Sequence, residues 1–183
     1  MRRALAAAAA LILLGGLLVL AFPPLRSAVA VAGLLRDELR PPLAVPVEGV
    51  RPAQLADTWG APRSGGRRHE GIDIFAPCGR PVVSATRGVV FHVGTNRLGG
   101  QVVRVLGPAG SWHYYAHLAR FGQVRPGDVV EPGDTLGYVG DTGNARGTPC
   151  HLHYGVYGRG GEARNPYPLL SGRRPPEPER ARR

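Results

Sequence analysis

The chain has 183 residues, of which Gly (27) and Pro (18) make up close to a quarter, and it carries a formal charge of +10. All 23 basic residues are Arg, which excludes chemistry that depends on a lysine, such as a Schiff base, a phosphate-binding P-loop or a lipoyl or biotinyl attachment site. A hydrophobic share of 43% with only 7% aromatics suits one modest core rich in Val and Leu and argues against wholesale disorder.

Arg2 and Arg3 precede an uncharged run of 19 residues from Ala4 to Phe22. As a helix this run would reach roughly 28 Å, nearly a hydrocarbon core. It is longer than the apolar region of a secretory signal, about 7–15 residues, yet Ala28-Val29-Ala30 matches a small-x-small cleavage pattern. Residues 1–30 therefore read as a signal anchor or a cleaved signal peptide. Either one exports the rest of the chain, to the periplasm or cell envelope, and an anchor over 4–22 would hold it at the inner membrane.

Residues 31–63 read as a linker or juxtamembrane extension. Arg36-Asp37-Glu38-Leu39-Arg40 suits a short charged helix stopped by Pro41-Pro42, and Leu43 to Pro52 suits extended chain. Residues 64–170 read as the folded domain, and 171–183 as a basic disordered tail. Within the domain 11 Arg face 7 Asp and Glu, so most of the excess positive charge sits in the flanks. No recognition motif accompanies that charge, so no nucleic-acid partner is expected; an anionic wall or membrane surface suits exposed basic flanks.

From Gly71 onward short Val- and Tyr-rich runs alternate with Gly, Pro and Asp turns. The expected strands are 71–75, 81–84, 88–93, 101–106, 112–117, 135–139 and 151–156, with no amphipathic helical period over any ten residues. This is an all-β pattern. Two segments, Val124 to Val130 and Val130 to Leu136, both set Pro-Gly-Asp between apolar residues, as hammerhead-like paired turns do. Cys78 and Cys150 lack the CxxC spacing of zinc sites; in an exported chain they read as a disulfide, with two free buried thiols as the alternative.

Six histidines need individual weighing. His151-Leu152-His153 opens a strand, so both imidazoles leave the same face and either share a metal or pair a ligand with an acid–base group. In His69-Glu70-Gly71-Ile72-Asp73, the glycine and the Ile-Asp-Ile-Phe run favour a loop entering a strand. Asp73 then points away from the core, as a metal ligand or as a carboxylate held by turn amides or Arg68. His117, with His113 and Tyr115, alternates along a strand toward a common surface. His92 reads as an ordinary strand residue.

Taken in order, His69-x-x-x-Asp73, Tyr115-Ala116-His117-Leu118 and His151-Leu152-His153 resemble the lysostaphin-like (LytM-type) zinc peptidases, which cut peptidoglycan peptides. The likeness runs from about Arg67 to Leu170 and includes the turn segments and Asn165-Pro166. It implies a small, mainly antiparallel β domain with its site in a groove. It also implies a Zn2+ ion held by His69, Asp73 and His153, with His117 and His151 as the catalytic groups flanking the open position, and peptidoglycan as the substrate. Two departures stand out: Tyr154-Gly155 replaces a common Phe-Glu, which bears on a groove wall, and Cys150 replaces a usual Pro, so a Cys78–Cys150 bridge would be a local feature. The competing expectation is a catalytically silent regulator of another wall hydrolase. Such relatives typically lose metal ligands, and this chain keeps all three.

Overall fold

The computed structural model describes Gly15 and residues 22–172. All of the apolar run from Ala4 to Phe22 except Gly15 and Phe22, together with the tail beyond Gly172, lies outside the described residues. No described helix is long and apolar enough to cross a membrane.

Among the described residues nine strands form one antiparallel sheet: β1 (Ile72–Phe75), β2 (Pro81–Val83), β3 (Gly88–Asn96), β4 (Gly100–Leu106), β5 (Trp112–Phe121), β6 (Val129–Val130), β7 (Thr135–Val139), β8 (His151–Tyr157) and β9 (Ala163–Arg164). The main order is β1-β8-β5-β4-β3-β6, with β7 bridging β2 and β5, and β9 flanking β8. All seven expected strands are present. Gly, Pro and Asp turns bound the β-branched and aromatic runs, and the strands range from two residues in β6 and β9 to ten in β5.

Strand β5 changes partner along its length. Trp112–Ala116 pairs with β8, whereas Leu118–Phe121 pairs with β7. Between them the register with β4 shifts, so that Tyr115 faces Val103 but Leu118 faces Gln101. That leaves one extra residue in β5, a bulge that bends the sheet. The bend brings Val82, Leu136 and Val139 of the β2–β7 ribbon against Ile72, Ile74, Leu152 and Tyr154, and these make one core.

The paired turns are built alike. Gly127 and Gly133 have φ near +98° and +97°, and Asp128 and Asp134 each accept a hydrogen bond from the backbone N–H three residues earlier. Glycine at the left-handed position and an aspartate clamping its own turn follow from the Pro-Gly-Asp repeat.

Two expectations need correction. Helix α1 spans Pro23–Leu34 and ends before the charged run Arg36–Arg40. It docks through Leu34, 2% exposed, and through a Ser27 hydroxyl donated to the Gly127 carbonyl. Stretch 31–63, read as an extension, packs onto the domain: Leu43, Val47 and Leu55 belong to the core, and Val47 bridges Val82. Burying apolar side chains, at about 25 cal/mol per Å², outweighs the flexibility that its Pro content suggests. A short helix α2 (Pro166–Ser171) closes the domain, its N-cap Asn165 accepting from the Tyr167 N–H. Cys78 and Cys150 form a disulfide, tying the β1–β2 loop to the start of β8.

Candidate metal centre

The site is set by strand register. Asp73 on β1 lies opposite His153 on β8, which lies opposite Ala116 on β5. Ile72, Ile74, Leu152 and Tyr154 point into the core from the same two strands, so Asp73, His151 and His153 emerge on the other face. On β5 the phase is such that His113 and Tyr115 point inward, fully buried. His113 hydrogen-bonds Tyr154 and Ser111 and is not part of the site. Strict alternation would send His117 inward as well. The bulge reverses it: His117 has φ +63°, its N–H donates to the Gly99 carbonyl at 2.7 Å, and its ring reaches the site. His92 remains apart on β3, opposite Arg104.

Five predicted residues thus meet on one face. His69 Nε2 lies 2.8 Å from His153 Nδ1 and 3.1 Å from Asp73 Oδ1, and His153 Nδ1 lies 3.3 Å from the same oxygen. These three donors form the group among the described residues able to hold a metal ion. The His117 ring is 5.0 Å from that of His151 and 5.9 Å from that of His153.

Backbone carbonyls fix the tautomers. The Nδ1–H groups of His69, His117 and His151 donate to the carbonyls of Thr58, Thr142 and Pro149 at 2.7, 2.8 and 2.8 Å. A carbonyl only accepts, so in the neutral ring each Nε2 carries its lone pair toward the site. Burial pushes His117 down to about 4, against the Thr142 hydrogen bond and helped by the neighbouring histidines, so its ring is neutral at pH 7. Burial also lowers His153. Burial would raise Asp73, yet hydrogen bonds and charge from His153 and His69 hold its carboxylate far below the usual range.

The sequence reading missed the groups that hold these side chains. Arg68, offered there as a partner for Asp73, instead donates to the Gly60 carbonyl. Arg63 takes the role, its Nη2 2.5 Å from Asp73 Oδ2, which leaves Oδ1 facing the two imidazoles. Thr58 serves twice, its carbonyl fixing His69 and its hydroxyl accepting the Asp73 N–H. Both residues sit on a small hairpin in which Ala61 and Arg63 bond back to His69 and Arg67; a Gly-Gly tip after Ser64 was its one visible signal. Gly71 is needed for close approach, since a β-carbon there would stand 2.6 Å from the Tyr154 carbonyl and 2.7 Å from the His153 ring.

The sequence pattern of peptidase family M23 matches residues 67–166. An L-Ala–D-Glu endopeptidase of Bacillus subtilis (strain 168) is 44% identical over 124 residues, covering 62% of this chain and 38% of that protein. The catalytic domain of lysostaphin from Staphylococcus simulans superposes with a TM-score of 0.56 at 28% identity, over 63% of this chain and 90% of that domain. A zinc-containing peptidase from Vibrio cholerae gives 0.55 at 28% identity, over 66% of this chain and 37% of that one. The chain spans well under half the length of the curated relatives it matches.

Proposed function

Since the chain belongs to peptidase family M23, we propose that it is a zinc-dependent endopeptidase acting on the stem peptides or cross-links of peptidoglycan. One observation carries the reading: three donor atoms converge within 4.8 Å beside two imidazoles whose Nε2 atoms make no hydrogen bond among the described residues. The donor set suits zinc. Two neutral imidazoles and one carboxylate are ligands that catalytic zinc takes, and three protein ligands leave a position open.

His69 and His153 would hold the ion with Asp73. Bound there, Zn2+ supplies Lewis acidity toward water and the scissile carbonyl. The rest is the work of this chain's own side chains. Thr58 and Arg63 orient the ligands, Arg63 by occupying the second carboxylate oxygen, as outer hydrogen bonds do at metal sites. His117 and His151 present Nε2 lone pairs, so they accept the proton of the attacking water. They then return it to the leaving amine or, once protonated, donate to the developing oxyanion.

The name of the Bacillus subtilis relative makes the L-Ala–D-Glu bond the first to examine. The substrate belongs to the cell envelope, and residues 4–22 would serve as leader or anchor. To test the reading, the purified zinc-loaded chain is incubated with peptidoglycan, with and without a chelator, and released fragments are identified by mass spectrometry. Chelator-sensitive peptide cleavage is expected, and the fragments name the bond. Intact peptide links from folded, zinc-loaded protein would overturn the reading in favour of a silent regulator.

A further inference from the structure

One cluster on the face of the metal site has no part in the scheme above. Arg104 on β4 lies opposite Tyr114, which lies opposite Gly155, while Trp112 lies opposite Tyr157. Alternation therefore puts Arg104, Trp112, Tyr114 and Tyr157 on the same side of the sheet as His153. The Trp112 and Tyr157 rings stack at 3.9 Å with 7° between their planes. The Arg104 guanidinium carbon stands 5.5 Å from the ring centres of both Trp112 and Tyr114. Tyr114 in turn meets His153 edge to face, with 5.9 Å between ring centres.

Arg104 has no anionic partner among the described residues. Its Nε is buried without a hydrogen-bond partner. A half-desolvated guanidinium held only by ring faces is costly, and the exposed edge of such a fork matches a carboxylate in planar, bidentate geometry. We propose that Arg104, cradled by these rings, is a specificity-determining subsite for a carboxylate of the substrate peptide close to the scissile bond. Tyr114 spans the interval between His153 and Arg104, a reach of at most about three residues of extended chain at ~3.5 Å each. Position 155 adds no side chain to block that path, and a β-carbon there would press on the Tyr157 ring at 3.0 Å. The inference rests on the peptidase reading for the identity of its ligand. In a peptide joined through one carboxyl of D-Glu the other carboxyl stays available, either free or capped as an amide.

The test uses two synthetic stem peptides containing L-Ala–D-Glu, one with that second carboxyl free and one with it as the carboxamide. Binding to the zinc-loaded full chain is read by stopped-flow tryptophan fluorescence, before any turnover. The free-carboxylate peptide is expected to bind about tenfold more tightly, a difference of about 1.4 kcal/mol. Arg104→Gln should abolish the preference by weakening that peptide alone, and Arg104→Lys should keep part of it. Equal affinities in the wild type, no binding of either peptide, or an unchanged ratio in Arg104→Gln would each overturn the subsite. Cleavage is scored separately on the same peptides. Hydrolysis without carboxylate preference sinks the subsite and spares the peptidase, whereas preferential binding without hydrolysis does the reverse.

Discussion

His117 carries its imidazole on a backbone with φ +63°, a region that costs a residue with a β-carbon about 1–2 kcal/mol. The strain is held by the bulge in β5 and by the hydrogen bonds from its N–H to Gly99 and from its ring to Thr142. What it secures is an imidazole on the site face from a strand position whose phase points inward, a trade seen where local strain serves a site. A sign reversal tests this. At ordinary φ, alanine in place of glycine stabilises by about 0.4–1 kcal/mol; at position 117 the order should invert, with His117→Gly melting at or above the temperature of His117→Ala. Both variants should retain zinc and lose hydrolysis. A clearly higher melting temperature for His117→Ala would show that the backbone is not strained there.

At the scale of elements, the site depends on how closely the hairpin leading into β1 lies on β8. Gly71 makes that approach, and all three atoms nearest to an added β-carbon would lie under 3.0 Å away. One of them is a strand carbonyl and cannot swing aside. Gly71→Ala should therefore push β8 and the His153 ring outward. We expect zinc affinity, measured by chelator competition, to fall at least tenfold, with a loss of about 1–3 kcal/mol in stability as for other overpacked sites. Wild-type zinc affinity in this variant would show that the hairpin has slack. The strands were legible in the sequence because turn residues bound each Val-rich run, and so were His151, His153 and Asp73, because period-two alternation separates them from Ile72, Ile74 and Leu152. His117 was found by resemblance, and its alternation argument grouped it wrongly with His113, since a bulge of one residue leaves no local signature. Thr58, Arg63 and Thr142 act through a backbone carbonyl or a contact across a hairpin. Neither is encoded by residue spacing, so these supports appear only once the chain is folded.

For the whole molecule, His113 behind the site and His117 within it make stability sensitive to acid. His113, enclosed between Ser111 and Tyr154, is pushed by burial down to about 3 from 6.5. Above pH 6.5 it is neutral in both folded and unfolded chains and contributes no pH dependence. As pH falls below 6.5 the unfolded chain takes up a proton that the folded chain refuses. Stability then drops by up to about 1.4 kcal/mol per pH unit for this one group, until the folded pKa is reached. His117, pushed down to about 4, adds to the same slope over a narrower window. Asp73 works lower on the scale: with its folded pKa depressed, its contribution is present above the ordinary carboxylate range and fades only in stronger acid. The sum predicts a chain stable at neutral pH that loses most of its stability between about pH 6 and pH 4. The measurement is denaturant unfolding across that range with a chelator present, so that zinc release does not contribute to the slope. His113→Gln, which keeps a polar side chain between Ser111 and Tyr154 but cannot titrate, should be less stable at pH 7 and should flatten the curve by about one proton. An unchanged slope in that variant would mean that His113 accepts its proton in the folded state, and the acid sensitivity would then have to come from His117 and His153.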